Sequence, residues 1–363
     1  MAAQTKRTPK GEIRDFILKH VDEHAHDLTS WVAAHFDISR QAAHQQVAKL
    51  VKEGAIVAHG SARSRRYELA SLVDQIFVLP LSENLQEDQV WRELIRPELK
   101  DAAENVLRIC EYGFTEMLNN AIDHSEGQEV MVRIMITLSR IELTVSDDGV
   151  GIFRKIQREL GLVEPRLAIL ELAKGKLTTD PARHTGEGIF FTSRAFDSFT
   201  ILSHNLAFLH DNEDEDGDWL MDDDLDEEPA KDPVEGTYVA MRIDPQSSRN
   251  LKEVFDQYTS PDDDYGFTKT VVPVNLARIG DENLVSRSQA KRLLGRIDRF
   301  QEVVLDFDKV DTIGQAFADE IFRVYRLQHP NVNIVAINDN ENVARMIMRA
   351  LTNNPQSSSP AQG

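Results

Sequence analysis

Apolar residues recur at three-to-four spacing over residues 11–21, 28–35 and 39–53, and each run places them on one stripe of a helix. Ser39 stands where an N-cap is expected and Gly54 where the third helix stops. The pattern then switches to two short strands, 55–58 and 66–69, around the basic tip Ser61-Ala62-Arg63-Ser64-Arg65.

A second helical stripe, Val106, Cys110, Gly113, Phe114, Met117 and Ala121, leaves Glu116, Asn120 and His124 on a separate polar stripe. Strict alternation over 130–138 and 141–145, around a Ser139-Arg140 turn, predicts a hairpin of half-buried strands. A helical run over 189–196 and strands over 199–209 and 237–243 follow. Beyond about residue 270 strands and helices alternate: strand 270–274, helix 286–300, strand 303–307, helix 314–327, strand 332–337 and helix 341–351. That order predicts a small α/β layer with helices packed on a sheet.

Three polar segments on this scaffold carry chemistry. Glu116 and Asn120, four apart on a helix, sit side by side. An Asn carbonyl is a hard ligand for a magnesium ion that bridges phosphates, and a carboxylate nearby can take a proton from an attacking water. Glu and Asn at this spacing also occur on solvated helix faces. Asp147 ends a strand, and Gly149 and Gly151 after it allow a sharp turn and close approach to a flat ligand. A carboxylate there can accept the exocyclic amino group of adenine. Thr185, Gly186 and Gly188 precede the helix at 189, where backbone N–H groups and the helix dipole favour phosphate. Each segment alone is weak, and their order and intervals give them weight.

These segments resemble the GHKL superfamily of gyrase, Hsp90, histidine-kinase and MutL ATPases, with the anti-sigma-factor kinases as compact relatives. Glu116, Asn120 and His124 match its N-box, Asp147, Gly149 and Gly151 its first glycine box, and Gly186 and Gly188 its second. The resemblance implies ATP and Mg2+ as cofactors, with Asn120 on magnesium, Asp147 on adenine and Glu116 as general base. It also implies that 152–185 is a mobile lid over the phosphates. Lys174, Lys176, Arg183 and His184 lie in that stretch, and the sequence leaves open which of them reaches a phosphate.

The N-terminal order of three helices and a basic hairpin resembles a winged helix-turn-helix, whose third helix enters the major groove of double-stranded DNA. Ser39, Arg40, Gln41, His44 and Gln45 then face base edges, and Arg63, Arg65 and Arg66 face phosphates. A small protein-interaction module of the same shape is the alternative. The C-terminal alternation resembles STAS-like domains, among them the anti-sigma-factor antagonists. Those present a phosphorylatable serine in an Asp-Ser-Ser/Thr-Gly turn. Here the turn is Asp311-Thr312-Ile313-Gly314, with Ile313 at the usual acceptor position.

The charge balance adds two features. The chain of 363 residues has a formal net charge of −20, yet residues 1–70 hold 11 basic and 8 acidic residues, which favours nucleic acid as the partner of that part. From 211 to 232 there are 13 acidic residues and one lysine around Trp219, Leu220 and Met221, and charge this dense predicts a disordered loop. A sharper reading makes it a mimic of DNA phosphate competing for the basic wing. The single cysteine, Cys110, excludes an intrachain disulfide and falls on the apolar stripe. No apolar run approaches the length of a membrane span and the start of the chain does not read as a signal peptide, so no membrane partner and a cytoplasmic location are expected.

The expected fold class is therefore multidomain α+β. A winged helix-turn-helix (1–72) is followed by a GHKL-type α/β sandwich (73–250, acidic insert about 210–234), a small STAS-like α/β domain (268–352) and a disordered tail (353–363). The expected function is an ATP-binding, DNA-binding transcription regulator with weak ATPase activity, working as a homodimer, with a protein partner reached through the STAS-like part. An anti-sigma-type serine/threonine kinase with a fused antagonist is the alternative, and a scaffold with structural ATP a third reading.

Overall fold

In the computed structural model, residues 10–61, 64–177, 185–212, 218–222, 234–259, 266–280 and 282–352 are described. The first three helices form where the periodicity puts them: α1 (Lys10–His20), α2 (Leu28–His35) and α3 (Arg40–Lys52). Ser39 caps α3 by accepting the N–H of Ala42 at 3.1 Å, and Gly54 leaves it at φ +71°. Strands β1 (Ile56–His59) and β2 (Arg66–Leu69) pair antiparallel behind α3. This module buries its own core, with Ile17, Val21, Leu28, Val32, Ala43 and Val47 fully enclosed.

The centre of the chain is a seven-stranded sheet. β3 (Val73–Pro80) leads through α4 (Glu87–Val90), a π-helical stretch (Trp91–Ile95) and a 3-10 turn (Arg96–Leu99) to the long helix α5 (Glu104–His124). β4 (Glu129–Ile136) and β5 (Ile141–Asp147) form the expected hairpin. Helices α6 (Ile152–Leu160), α7 (Leu167–Lys174) and α8 (Gly188–Ala195) precede β6 (Ser198–His204), β7 (Leu206–Asp211), β8 (Asp218–Asp222) and β9 (Val234–Ile243). The order across the sheet is β3-β4-β5-β9-β6-β7-β8, with every neighbouring pair antiparallel.

The central sheet departs from the sequence expectation at two places. The stretch read as strand over 199–209 is two strands, split at Asn205. The acidic insert is also not loop throughout, because residues 218–222 form the edge strand β8, paired with β7 from Leu206↔Asp222 to His210↔Asp218. Trp219, Leu220 and Met221 carry strand propensity, and the open edge of β7 supplies partners for their backbone groups, which charge density alone does not register.

After α9 (Leu251–Asp256), the strands β10 (Lys269–Pro273), β11 (Glu302–Asp306) and β12 (Asn333–Ile337) build a three-stranded parallel sheet. Between them lie α10 (Arg287–Leu294), α11 (Gln315–Asp319), a π-helical stretch (Glu320–Tyr325) and α12 (Arg326–Gln328), with α13 (Glu341–Thr352) last. A Ser286–Gln289 capping box starts α10, and the helix ends at Gly295 rather than running to 300.

The two sheets do not have separate cores. One apolar cluster runs from Trp91 and Ile109 through Leu172, Phe190 and Phe267 to Phe317 and Val343. The element that joins them is α7, whose eight residues are all buried. A helix apolar nearly all round must be covered on every side, and here one sheet alone cannot do it. No helix among the described residues is long and apolar enough to cross a membrane.

Candidate functional site

Helix α5 positions the first set of side chains. Val106, Ile109, Cys110, Phe114 and Leu118 are fully buried along its inner stripe, which turns Glu116, Asn120 and His124 together onto its other side. Gly113 is there because Phe196 and Thr192 of the neighbouring segment press on its Cα, leaving no space for a Cβ. The Cys110 thiol is fully enclosed and burial pushes its pKa up, so it is core and not a nucleophile.

The cavity beside α5 has a volume of about 340 Å³. Its wall includes Glu116, Asn120, His124, Asp147, Gly151, Thr185, Gly186 and Gly188, so residues from three distant segments converge on one space. Gly149 does not line it. That residue packs against the backbone of Ser125, where a Cβ would collide, and its N–H donates to Asp147 Oδ1 at 2.9 Å. A methyl group on Gly188 would run into the Glu116 carboxylate, so the second glycine segment lies directly on the candidate base.

Asp147 sits at the floor, 8% exposed. Burial raises its carboxyl pKa, against the opposing pull of the Gly149 and Thr237 hydrogen bonds. Thr237 donates its N–H to Asp147 Oδ1 at 3.2 Å, and its own hydroxyl accepts the N–H of Ile152 at 3.0 Å. A buried carboxylate with one oxygen held by two backbone donors is a fixed acceptor for an amino group of a flat ring. Val145, Ile156, Ile201 and Val239 supply apolar walls.

At the mouth, Lys155 of α6 lines the cavity and is bound to Glu126 at 2.8 Å and Glu159 at 3.4 Å. Hydrogen bonds from Lys155 and Arg158 hold the Glu126 carboxyl at a pKa of about 2. Glu187, between the two glycines, is pushed up by burial, and Tyr112 is raised by burial and then by Glu116 and Glu187. The cavity thus has acceptors on its floor, an amide and a carboxylate along α5, and a cation at its mouth.

The chemistry of these donors fits a magnesium nucleotide. Asn120 is the hard oxygen donor and Glu116 the carboxylate beside it, and among the described residues no group of three or more His, Cys, Asp or Glu is gathered for a metal. A cation held by one amide oxygen and ligand phosphates needs no larger cluster.

Sequence reasoning missed Thr237 and Lys155. Thr237 follows the acidic stretch with Gly236 at φ +78°, and that glycine approaches the Asp147 carbonyl too closely for any side chain. Lys155 lies one helical turn past Gly151, a spacing that does signal a cation near the first glycine segment. Conversely, Lys174 was a phosphate candidate and is 1% exposed, bonded to Glu171, Arg292 and Gly295 instead. Lys176 bonds the Arg299 carbonyl at 3.1 Å and lies over the rings of Phe267 and Phe300, while Arg183 and His184 fall outside the described residues.

A second surface lies on the N-terminal module. Arg40, Gln41, His44 and Gln45 are exposed on the first turns of α3, with Lys49 and Lys52 further along it. Ser39 is exposed, with its hydroxyl committed to the cap. Arg65 and Arg66 are exposed on the β1–β2 hairpin, and Arg63 lies outside the described residues. The module meets the central sheet where Arg140 binds Asp22 at 2.6 Å and Ser139 donates to the Leu18 carbonyl at 3.0 Å.

Residues 289–344 match the family model of a STAS-like domain of unknown function (DUF4325). The match starts inside α10 and ends inside α13, so it covers β11, β12 and the helices around them. No curated protein matches the chain. The C-terminal part is STAS-like.

In that part, Ile313 is 2% exposed and paired with Leu284 in a parallel bridge, whereas Thr312 is exposed. The turn at 311–314 offers a hydroxyl one residue before the usual acceptor position.

Proposed function

We propose that the chain is an ATP-binding, DNA-binding transcription regulator, in which a GHKL-type module binds Mg-ATP and slowly hydrolyses it. The observation that carries the reading is the convergence of Glu116, Asn120, Asp147, Gly151, Gly186 and Gly188, drawn from three segments, on one cavity of about 340 Å³. In this reading Asp147, with one oxygen held by the N–H groups of Gly149 and Thr237, would receive the adenine amino group, Asn120 would hold magnesium, and Gly186 and Gly188 would leave room for the phosphates at the start of α8. Glu116 takes the proton of the attacking water.

The reading further assigns the N-terminal module to double-stranded DNA as a winged helix-turn-helix. Support comes from the exposed Arg40, Gln41, His44 and Gln45 on α3, with Arg65 and Arg66 on the hairpin. Residues 1–70 hold 11 basic and 8 acidic residues in a chain of net charge −20. Two such modules in a homodimer would suit a palindromic operator, and the STAS-like part is assigned to a protein partner.

The test is Mg-ATP turnover by the purified chain, with Glu116→Gln and Asn120→Ala alongside, and radiolabel on the protein followed in the same reaction. Phosphate release lost in Glu116→Gln with no label on the chain supports the ATPase. Label on Thr312 would replace it with the protein-kinase reading, and failure of the wild type to bind nucleotide would end both.

A further inference from the structure

Helix α7 faces two ways. Leu172 lines the candidate nucleotide cavity, and so does Leu177 just beyond the helix. The other side of the same helix is fastened to the STAS-like part. Lys174 Nζ donates to Glu171 Oε1 at 2.7 Å, to the Arg292 carbonyl at 3.2 Å and to the Gly295 carbonyl at 2.8 Å, so its ammonium closes the C-terminal end of α10. Thr270 of β10 donates its hydroxyl to the Lys174 carbonyl at 2.7 Å. Arg296 and Arg299 both donate to the Lys176 carbonyl, at 2.8 and 3.0 Å.

The fastening continues into the phosphate end of the cavity. Leu177 donates its N–H to the Gly186 carbonyl at 2.9 Å, and Gly186, at φ +74°, approaches the Leu177 backbone too closely to carry a side chain. Gly175, at φ +78°, is wedged between Phe267 and Phe190, the latter from α8. A continuous set of short contacts therefore runs from α10 and β10, through Lys174 to Leu177, to Gly186 on the cavity wall.

The lysine is not a surface charge that happens to sit there. It is 1% exposed, it has three acceptors, and two of those acceptors belong to α10 and the turn that ends it. A buried ammonium left without them would be an uncompensated charge, so the contact ties the end of α7 to the end of α10.

We propose that Lys174 and Thr270 form a clamp by which the STAS-like part holds α7, Leu177 and Gly186 in place for the phosphates, so that nucleotide occupancy and the packing of the STAS-like part are one equilibrium. The inference rests on the nucleotide reading of the cavity. It adds a regulatory input, since a partner seated on the STAS-like part and loosening α10 lowers nucleotide affinity. By reciprocity, nucleotide tightens α10 and β10 by the same factor.

The test uses the full chain with the non-hydrolysable probe adenosine 5′-(β,γ-imido)triphosphate and magnesium. Calorimetric titration compares the wild type with Thr270→Val, Lys174→Met and the milder, exposed Arg299→Ala. Amide hydrogen exchange follows residues 269–273 and 287–300 with and without the probe. The expected result is affinity weakened by roughly fivefold or more in Thr270→Val and Lys174→Met, the lower end of ordinary coupling between sites, and slower exchange in both segments of the wild type on binding. If Lys174→Met does not fold, Thr270→Val and the wild-type exchange decide the matter. Probe binding by the wild type with affinities within twofold across the variants, or with exchange in 287–300 unmoved, overturns the clamp and leaves the nucleotide reading standing. No binding by the wild type removes the nucleotide reading and the clamp together.

Discussion

Thr237 gives its backbone N–H to Asp147 across the β5–β9 seam at 3.2 Å, joining residues 90 positions apart on either side of the acidic stretch. The pair sits where Asp147↔Thr237 is the last register match of two antiparallel strands. The strand pairing itself therefore aims the carboxylate.

Replacing Asp147 by Asn keeps an Oδ1 for the backbone N–H groups of Gly149 and Thr237, which share that oxygen, and exchanges the second oxygen for an NH2 donor facing the ligand. Mg-ATP affinity is expected to fall at least tenfold, while stability changes by no more than about 1 kcal/mol because the acceptor for both backbone N–H groups is kept. A nucleotide titration and a thermal melt of Asp147→Asn check both.

The raised pKa of Asp147 gives binding a pH dependence. The ligand needs the ionised carboxyl, and a carboxyl whose pKa is raised takes up its proton at a higher pH than an ordinary one. Affinity should therefore drop on acidification before ordinary carboxylates titrate. Glu126, held at about 2, stays ionised through that window and keeps Lys155 and Arg158 in place. Affinity measured from pH 8 down to pH 4.5 tests this, and a flat profile counts against Asp147 as the acceptor.

Glu116→Gln keeps the size and the contact with Gly188 and removes the base. Turnover is expected to fall by roughly 10²–10⁴ with binding nearly unchanged. Equal loss of binding and turnover would make Glu116 a binding residue only.

Gly113→Ala inserts a methyl between α5 and the Phe196 ring. The overpacked core should cost about 1–3 kcal/mol, read as a lowered melting temperature with no change in fold. A variant as stable as the wild type would mean that α5 and α8 can separate at no cost.

Arg65→Ala and Arg66→Ala should each weaken binding to duplex DNA about equally for all sequences and lower the salt slope by about 1, as loss of one phosphate contact does. Gln41→Ala and Gln45→Ala should instead relax preference at single positions, since such contacts read base edges. Salt titrations against a selected operator and a random duplex separate the two groups. Identical, salt-independent behaviour would favour a protein partner for this module.

Local pattern explains why so much of this was legible. Periodicity located α2 residue for residue, Ser39 as the cap of α3, and the β4–β5 hairpin, because each depends on neighbours within one or two turns of chain. The stripe Glu116, Asn120, His124 was legible for the same reason, as was the burial of Cys110 on the opposite side of α5. The strand β8 was not, because net charge outweighs a run of three strand formers when the edge they pair with cannot be seen.

The sequence by itself determined the elements, their alternation and the residue types able to meet a nucleotide, since propensity, capping and period are properties of short segments. Only the tertiary structure decided which of those residues share a cavity. β9 enters the sheet between β5 and β6 and brings Thr237 to Asp147, which no local signal encodes. It also decided the fate of Lys174. A lysine in the stretch between the glycine segments is free to reach a phosphate until α10 and the turn after it, 118 and 121 residues further on, pack against its helix and supply the carbonyls of Arg292 and Gly295. Contacts between distant segments arise from the packing of complete faces, and a face exists only once the chain around it has folded.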